Sequence, residues 1–369
     1  MTSTRLGRLN VDGSVRKAMP LVTVLVNTYN HERFIAQALS SVLEQDFPAA
    51  DIQTIVVDDG STDSTAEIAG RFTPTIQYIR KPNGGQVSAF HAGIAEAGGQ
   101  IIAFLDGDDW WAKDKLSQVV AAFERYSDIA AVGHGYFEVD EEGSQRSVIL
   151  PETECRVDFA TSESARFAAN LRVFGGTSRM AMRRSVLDRT LPVPGELPFF
   201  DNFIFTQGIA ISGAILLPLP LCYYRIHSGN LYASESADQA RLQLRYSLQR
   251  GLVDKLPDRL GRIGIPTEII SAVLECDRLD TERLRLILEG GKPLDTFRVE
   301  RADFHIAYRN PSLMYTSFKY FVLLLTLLMP PKTFYRIKRW YAEHGLGRVR
   351  SWIGRAELSV PRGVDRREF

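Results

Sequence analysis

The 369 residues include 44 basic and 44 acidic side chains, so the chain has no formal net charge at pH 7. Neutrality removes the chain-wide positive field that marks a nucleic-acid binder and leaves recognition to local sites; no nucleic-acid partner is expected. Three cysteines, Cys155, Cys222 and Cys276, are odd in number and far apart, which excludes a disulfide framework or a Cys-based metal site and fits a reducing, cytoplasmic setting.

In chain order, Met1 to Pro20 is polar, carries several Arg and Lys and lacks the apolar stretch of a secretory signal, so it reads as a mobile arm. From there β-branched apolar runs alternate with helical patterns. Leu21–Val26 is followed by the polar turn Asn27-Thr28-Tyr29-Asn30 and a helix through Phe34 to Leu43. Ile52–Val57 is followed by Asp58-Asp59-Gly60-Ser61-Thr62-Asp63 and a helix over Ser64–Arg71. Ile76–Ile79 leads through Asn83-Gly84-Gly85 into Val87–Ala97, and Ile101–Leu105 is a fourth strand. Buried strands alternating with helices predict an α/β fold, a parallel sheet covered on both faces, with every polar turn at a strand's carboxyl end.

Beyond about residue 125 the alternation loosens. Ile129–Val132 and Tyr136–Val139 read as short strands before a long polar stretch. Phe174-Gly175-Gly176-Thr177-Ser178 reads as a turn before another strand and a helix over Arg184–Arg189. Ala214–Leu217 and Leu221–Ile226 are strand candidates. Helices are predicted over Ala233–Lys255, Pro266–Cys276 and Thr281–Leu288.

The run Phe104-Leu105-Asp106-Gly107-Asp108-Asp109-Trp110 sets three carboxylates at the end of a buried strand, where open α/β sheets bind ligands. Such a cluster needs a cation or a donor network to neutralise it, and a divalent cation is the functional reading; an acidic turn capping the next helix is the plain one. Asp59, beside the Thr28-Tyr29-Asn30 turn, offers an acceptor for a base N–H next to an aromatic ring, the groups a uracil-like base needs. Asp63 or Ser61 reads as the N-cap of the following helix. Asn83-Gly84-Gly85 is either a plain turn or a loop that works with Arg80 and Lys81 on diphosphate charge.

These motifs, together with Val22 to Asn30, stand in an order and spacing that resembles the family 2 nucleotide-sugar glycosyltransferases over about residues 20 to 230. The resemblance implies a GT-A type fold, a Rossmann-like mostly parallel sheet with helices on both faces. It also implies an inverting transfer from a nucleotide-sugar donor with Mn²⁺ or Mg²⁺. By position it assigns Tyr29 and Asp59, within the set Thr28, Tyr29, Asn30, Asp59 and Asn83, to the nucleotide, Asp106 to the ribose and Asp108 to the metal. His91 stands where similar proteins often have Asn. The domain expected spans 21–230, with a nucleotide-binding half over 21–125 and an acceptor half over 126–230. A helical extension follows over 231–369.

Displacing a nucleoside diphosphate from an anomeric carbon needs stabilisation of the leaving group and a base for the acceptor hydroxyl. Asp201, in a proline-flanked loop after Phe199-Phe200, is the candidate base and matches the family's acidic position by order; a helix N-cap is its structural alternative. Tyr224-Arg225-Ile226-His227 resembles a late family motif whose His and Arg approach the diphosphate or metal, and His227 is either a metal ligand or a structural histidine. Gly176 and Thr177 are assigned by resemblance to the acceptor side, and Trp110 either lines a sugar pocket or packs in the core. The donor expected is a UDP-sugar, the acceptor a hydroxyl of a glycan or lipid-linked saccharide. The same fold also serves sugar-phosphate nucleotidyltransferases, but these need a Gly-rich triphosphate loop that Asn27-Thr28-Tyr29-Asn30 does not supply. A non-catalytic scaffold in glycan assembly is the remaining rival, and intact carboxylates speak against it. Finally, residues 314–341 combine an apolar run with aromatic and basic residues, the composition of a membrane-interfacial segment, and residues 330–369 hold ten Arg/Lys against four Asp/Glu. Peripheral contact with the inner face of the cytoplasmic membrane is expected.

Overall fold

The structure, a computed structural model, describes residues 20–195, 197, 200–230, 239–307 and 313–343. All of the predicted N-terminal arm but Pro20, and Phe199 beside the candidate base, lie outside the described residues.

The first four strands are β1 (Val22–Thr28), β2 (Ile52–Asp58), β3 (Gln77–Arg80) and β4 (Ile101–Asp106), alternating with α1 (Ile35–Leu43), α2 (Thr65–Gly70) and α3 (Gln86–Glu96). All of their ladders are parallel, with β1 between β2 and β4. Val22, Val24, Leu25 and Val26 are wholly buried, because helices cover both faces of a central parallel strand. On α1 the spacing Ile35, Ala38, Leu39, Val42 forms the stripe that seals one face. The registers Thr28 with Asp58, Asp58 with Arg80 and Asn27 with Asp106 bring the ends of all four strands level. One row of polar side chains therefore lines a single sheet edge, as predicted.

Next come β5 (Trp110–Trp111), α4 (Lys115–Arg125), β6 (Ala131–Val139), β7 (Gln145–Ile149), β8 (Cys155–Val157), α5 (Ser162–Asn170), β9 (Met180–Arg183), α6 (Arg184–Thr190), α7 (Phe200–Ser212) and β10 (Ala214–Arg225). The sheet order is β3-β2-β1-β4-β9-β6-β10-β5, with β7 on β6 and β8 on β10. Antiparallel pairing begins where β9 enters between β4 and β6. Three expectations change here. The two strands predicted across 129–139 are one strand, β6. The polar stretch after it holds β7, β8 and α5. The candidates Ala214–Leu217 and Leu221–Ile226 are one strand with register shifts around Pro220, since a proline has no N–H for the ladder.

The helices that follow are α8 (Gln239–Ile263), α9 (Thr267–Val273), α10 (Glu275–Leu288), α11 (Pro293–Ala307), α12 (Leu313–Thr326) and α13 (Pro331–Glu343). The first six residues predicted for α8, 233–238, lie outside the described residues. α8 runs through Pro257, beyond the stop read at Lys255, because Leu252, Leu256 and Leu260 keep it seated on the sheet's core. The segment predicted as one helix over Pro266–Cys276 breaks at Leu274, and α10 starts six residues before Thr281. The sheet's core thus continues past residue 230 into α8 and α9, while Leu286, Val299, Phe334 and Tyr335 form a small separate core among the last helices. Arg172 and Asp277, both buried, latch α10 to the main body at 2.5 Å.

Candidate active site

The loops after β1 and β2 are laced together by backbone donors and short polar side chains. Asn30, the one non-glycine residue with positive φ among the described residues (55°), turns the chain so that its N–H reaches Ser61 Oγ at 2.9 Å, while its Oδ1 accepts from the Thr62 N–H at 2.8 Å. Its short amide side chain tolerates that conformation. Next along, the His31 N–H donates to Thr65 Oγ1 and the Glu32 N–H to Asp63 Oδ2. Asp63 accepts from the Thr65 N–H, but the residue before α2 is Ser64, whose side chain makes no cap. Asp63 thus takes a free N–H of the first turn of α2, as a cap does, from one position before the N-cap, and also ties the two loops together. Thr28 is buried, with its hydroxyl 3.3 Å from His31 Nδ1, and Tyr29 stands at the mouth, 43% exposed.

Asp58 is fully buried, accepting from the Ser61 N–H at 2.7 Å and from the Tyr78 hydroxyl at 2.5 Å. Asp59 is bound by the third loop. Lys81 Nζ donates to it at 2.6 Å, and the N–H groups of Gly84 and Gly85 at 3.1 and 2.7 Å. The Asn83-Gly84-Gly85 turn is therefore organised around the Asp59 carboxylate, with the Asn83 side chain exposed. Gly60 is required at this crossing: its φ is +83° and a Cβ would stand 2.9 Å from the Asn83 nitrogen.

The acidic turn after β4 splits into three environments. Gln86 donates to Asp106 at 3.1 Å. Burial raises the Asp106 carboxyl well above its ordinary value, aided by the charges of Asp108, Asp109 and Asp201. Burial would also raise Asp108, but the facing imidazoles of His31, at 3.8 Å, and His227, at 3.0 Å, outweigh it and hold that carboxyl below its ordinary value. Asp109 turns inward, accepting from the Arg225 N–H at 2.9 Å; burial and the charge of Asp108 push it up to about 7.

Arg225 braces this turn. Its guanidinium donates to the Asp108 carbonyl at 2.9 Å, the Glu141 carbonyl at 2.5 Å and Gln37 Oε1 at 2.5 Å, and lies over the rings of Phe34 and Trp110. These bonds commit its guanidinium to holding the turn that carries Asp108. His227 accepts from the Gly229 N–H on Nδ1 at 3.1 Å, which leaves the proton on Nε2 facing Asp108. In this arrangement His227 is a donor to Asp108; ligating a cation through Nε2 requires giving up the Gly229 bond. Trp110 is stacked by Tyr223 at 4.8 Å and covered by Arg225, so the two rings and the guanidinium form one layer, half-buried at the cleft.

Asp201 lies in the first turn of α7. Its Oδ2 accepts from the Thr177 N–H at 3.0 Å and the Thr177 hydroxyl at 3.3 Å, and its Oδ1 from the Asn202 N–H at 2.6 Å. Phe200 and Phe203 beside it point into the core, Phe200 stacked on Phe90. Ser178, the next residue after Thr177, accepts the Asp106 N–H on its Oγ at 3.1 Å. The Ser178 carbonyl is held from below by Lys115 Nζ at 2.7 Å and Trp111 Nε1 at 3.0 Å. A Cβ at Gly176 would stand 2.1 Å from the Arg179 guanidinium, so the glycine leaves room for that side chain.

A glycosyl transferase family 2 model matches residues 23–191. An uncharacterised glycosyltransferase of Nostoc sp. is 32% identical over 259 residues, covering 66% of this chain and 76% of that protein. The chain belongs to glycosyl transferase family 2. A second relative, the uncharacterised glycosyltransferase EpsJ of Bacillus subtilis, is 30% identical over 177 residues, 46% of this chain and half of its own length. Among solved structures, residues 1–349 of Staphylococcus aureus TarS in complex with UDP-GlcNAc match this family 2 enzyme over 77% of its length and 80% of theirs. The TM-score is 0.52 at 20% identity, a likeness of fold, and the fold is GT-A type with a helical C-terminal region.

The transferase's residues suit a cation that brings most of its own ligands. Among the described residues no group of three His, Cys, Asp or Glu converges to hold a metal. Asp108 presents a carboxylate held below its ordinary value, next to Asp106, which burial and neighbouring charge protonate more readily. One or two carboxylates completed by substrate phosphates and water is the pattern for Mg²⁺ and related hard cations. Lys115 was missed by sequence reading. Thr177 and Arg225 were singled out there, but as acceptor-side and diphosphate or metal residues rather than as bracket and brace, and Ser178 was read only as part of the turn that holds Thr177.

Proposed function

We propose that this family 2 enzyme is an inverting, divalent-cation-dependent transferase that moves a sugar from a UDP-sugar to a hydroxyl of a glycan or lipid-linked saccharide on the cytoplasmic side. The observation that carries this reading is the Thr177-Ser178 bracket. Adjacent residues hold Asp201 on one side and the Asp106 backbone on the other, so a base and the donor-side carboxylates share one cleft.

In this reading Tyr29 covers the base, Asp59 and its Gly84-Gly85 loop recognise the base edge, and Asp106 takes the ribose. Asp108 holds the cation, which when bound neutralises the diphosphate and acts as a Lewis acid on the leaving group. The Thr177 donors and the Asn202 N–H fix Asp201 and leave a lone pair on Oδ1 for the acceptor hydroxyl. As the acceptor oxygen bonds to the anomeric carbon, its proton passes to Asp201, and the bond to the diphosphate breaks with its electron pair on the departing nucleotide. One displacement from the face opposite the leaving group inverts the anomeric configuration. TarS, seen with UDP-GlcNAc, supports the choice of a UDP donor.

The test is UDP release from a panel of UDP-sugars with Mn²⁺, in the wild type, Asp108→Ala and Asp201→Asn. Turnover present in the wild type and lost in both variants supports the assignment. Full activity in Asp201→Asn would remove Asp201 as the base.

A further inference from the structure

The last two helices carry a surface that the transfer chemistry does not use. α12 packs through Leu323, 2% exposed, and Thr326, wholly buried, and its single charged residue, Lys319, is half-buried with its field on Glu300. The opposite side presents Phe321, Leu324 and, just past the helix end, Leu328, exposed by 58%, 59% and 79%. Their spacing of three and four residues puts them on one stripe, flanked by Phe318, Tyr320 and Leu327 and containing no charge. On α13, Phe334 and Tyr335 face inward, while Lys332, Arg336 and Arg339, spaced four and three residues apart, share another side of the helix. These three cations make no ion pair among the described residues. Lys338, by contrast, is used internally, donating to Glu300 at 2.6 Å.

We propose that the α12–α13 face docks on an anionic lipid bilayer surface, with the Phe321–Leu324–Leu328 stripe entering the headgroup boundary and Lys332, Arg336 and Arg339 meeting lipid phosphates. An uncharged apolar stripe on one helix, followed along the chain by a helix whose Lys332, Arg336 and Arg339 make no ion pair among the described residues, has the composition of such an interface. At roughly 1.5 Å per residue, the 14 residues of α12 reach about 21 Å, short of the roughly 30 Å hydrocarbon core. No helix among the described residues is long and apolar enough to cross a membrane. The helix therefore lies on the bilayer rather than spanning it. A second copy of the chain fits less well, because a two-fold contact through this face would gather like cations of both copies in one interface. The excess of Arg and Lys over residues 330–369 acts in the same direction.

Flotation of the full chain with phosphatidylcholine vesicles, with and without phosphatidylglycerol, tests this. The wild type should float only with phosphatidylglycerol and less so as salt rises. The Phe321→Asp/Leu324→Asp double variant should lose flotation, and each of Lys332→Gln and Arg336→Gln should weaken it roughly fivefold. Circular dichroism and Mn²⁺-dependent UDP binding, read in parallel, show that the variants are folded and separate this result from the donor reading. Wild type that stays with the soluble fraction in both vesicles, binds both equally, or forms a dimer that Phe321→Asp/Leu324→Asp splits without any lipid binding would overturn the proposal.

Discussion

The two halves of the sheet build their share of the cleft in different ways. In the parallel half, Thr28, Asp58 and Asp106 each end a strand, and register alone brings them level. In the mixed half, the groups meet across long stretches of chain: Asp108 with His227, Asp109 with Arg225, Asp201 with Thr177. The parallel half is a set of local motifs on a regular frame, and the mixed half is a set of tertiary contacts. Substitutions in the first, and at Asp108 where the two halves meet, should fall on donor binding, and those elsewhere in the second on turnover and stability.

The largest effect expected in the mixed half is on turnover. Asp201→Asn should lower transfer by about 10²–10⁴-fold while nucleotide affinity stays within about twofold, measured by steady-state kinetics beside UDP titration. A loss of UDP affinity would instead place Asp201 on the donor side and blur the division. Arg225→Leu comes next, since it strips three side-chain hydrogen bonds while keeping the backbone N–H that Asp109 accepts. A loss of about 2–4 kcal/mol in urea unfolding is expected, and an unchanged midpoint would mean that the turn stands without its brace.

A smaller effect sharpens the account of what lies under the bracket. Burial pushes the Lys115 ammonium down to about 7 from 10.5. Between those values the unfolded chain holds the proton that the folded protein has released, so stability should rise with pH from about 7 to about 10.5. The burial penalty is fully present below pH 7. Lys115→Met should flatten that rise in thermal melts, and an identical slope in the variant would show that another group produces it. The smallest effect is expected at His91, whose Nε2 accepts the Val193 N–H at 3.2 Å and ties α3 to the proline-flanked loop before Asp201. His91→Ala should cost about 1 kcal/mol, read as a small shift in melting temperature.

This contrast also explains what the sequence made legible. Asp58-Asp59 and Asp106 to Asp109 were visible because a buried apolar run and its polar turn are contiguous, and the parallel topology follows from their alternation with helices. Asp59's embrace by Gly84 and Gly85 was half visible, since the turn could be read but not its partner. β5 was invisible: Trp110 and Trp111 form a strand only because Cys222 and Tyr223 pair with them from over a hundred residues away. Gly176 was read as a place of close approach, but nothing local announces that Arg179 folds back over it. The stop read at about Lys255 fell short, because three buried leucines, Leu252, Leu256 and Leu260, carry α8 on through Pro257.

The most direct test of the central claim is calorimetric titration of UDP, GDP, dTDP and CMP into the wild type and Asp108→Ala, with and without Mn²⁺. Mn²⁺-dependent binding of UDP by the wild type and its loss in Asp108→Ala are expected. Equal binding of UDP by both proteins, or binding indifferent to Mn²⁺, would contradict the assignment of Asp108 as the residue that holds the cation on the donor.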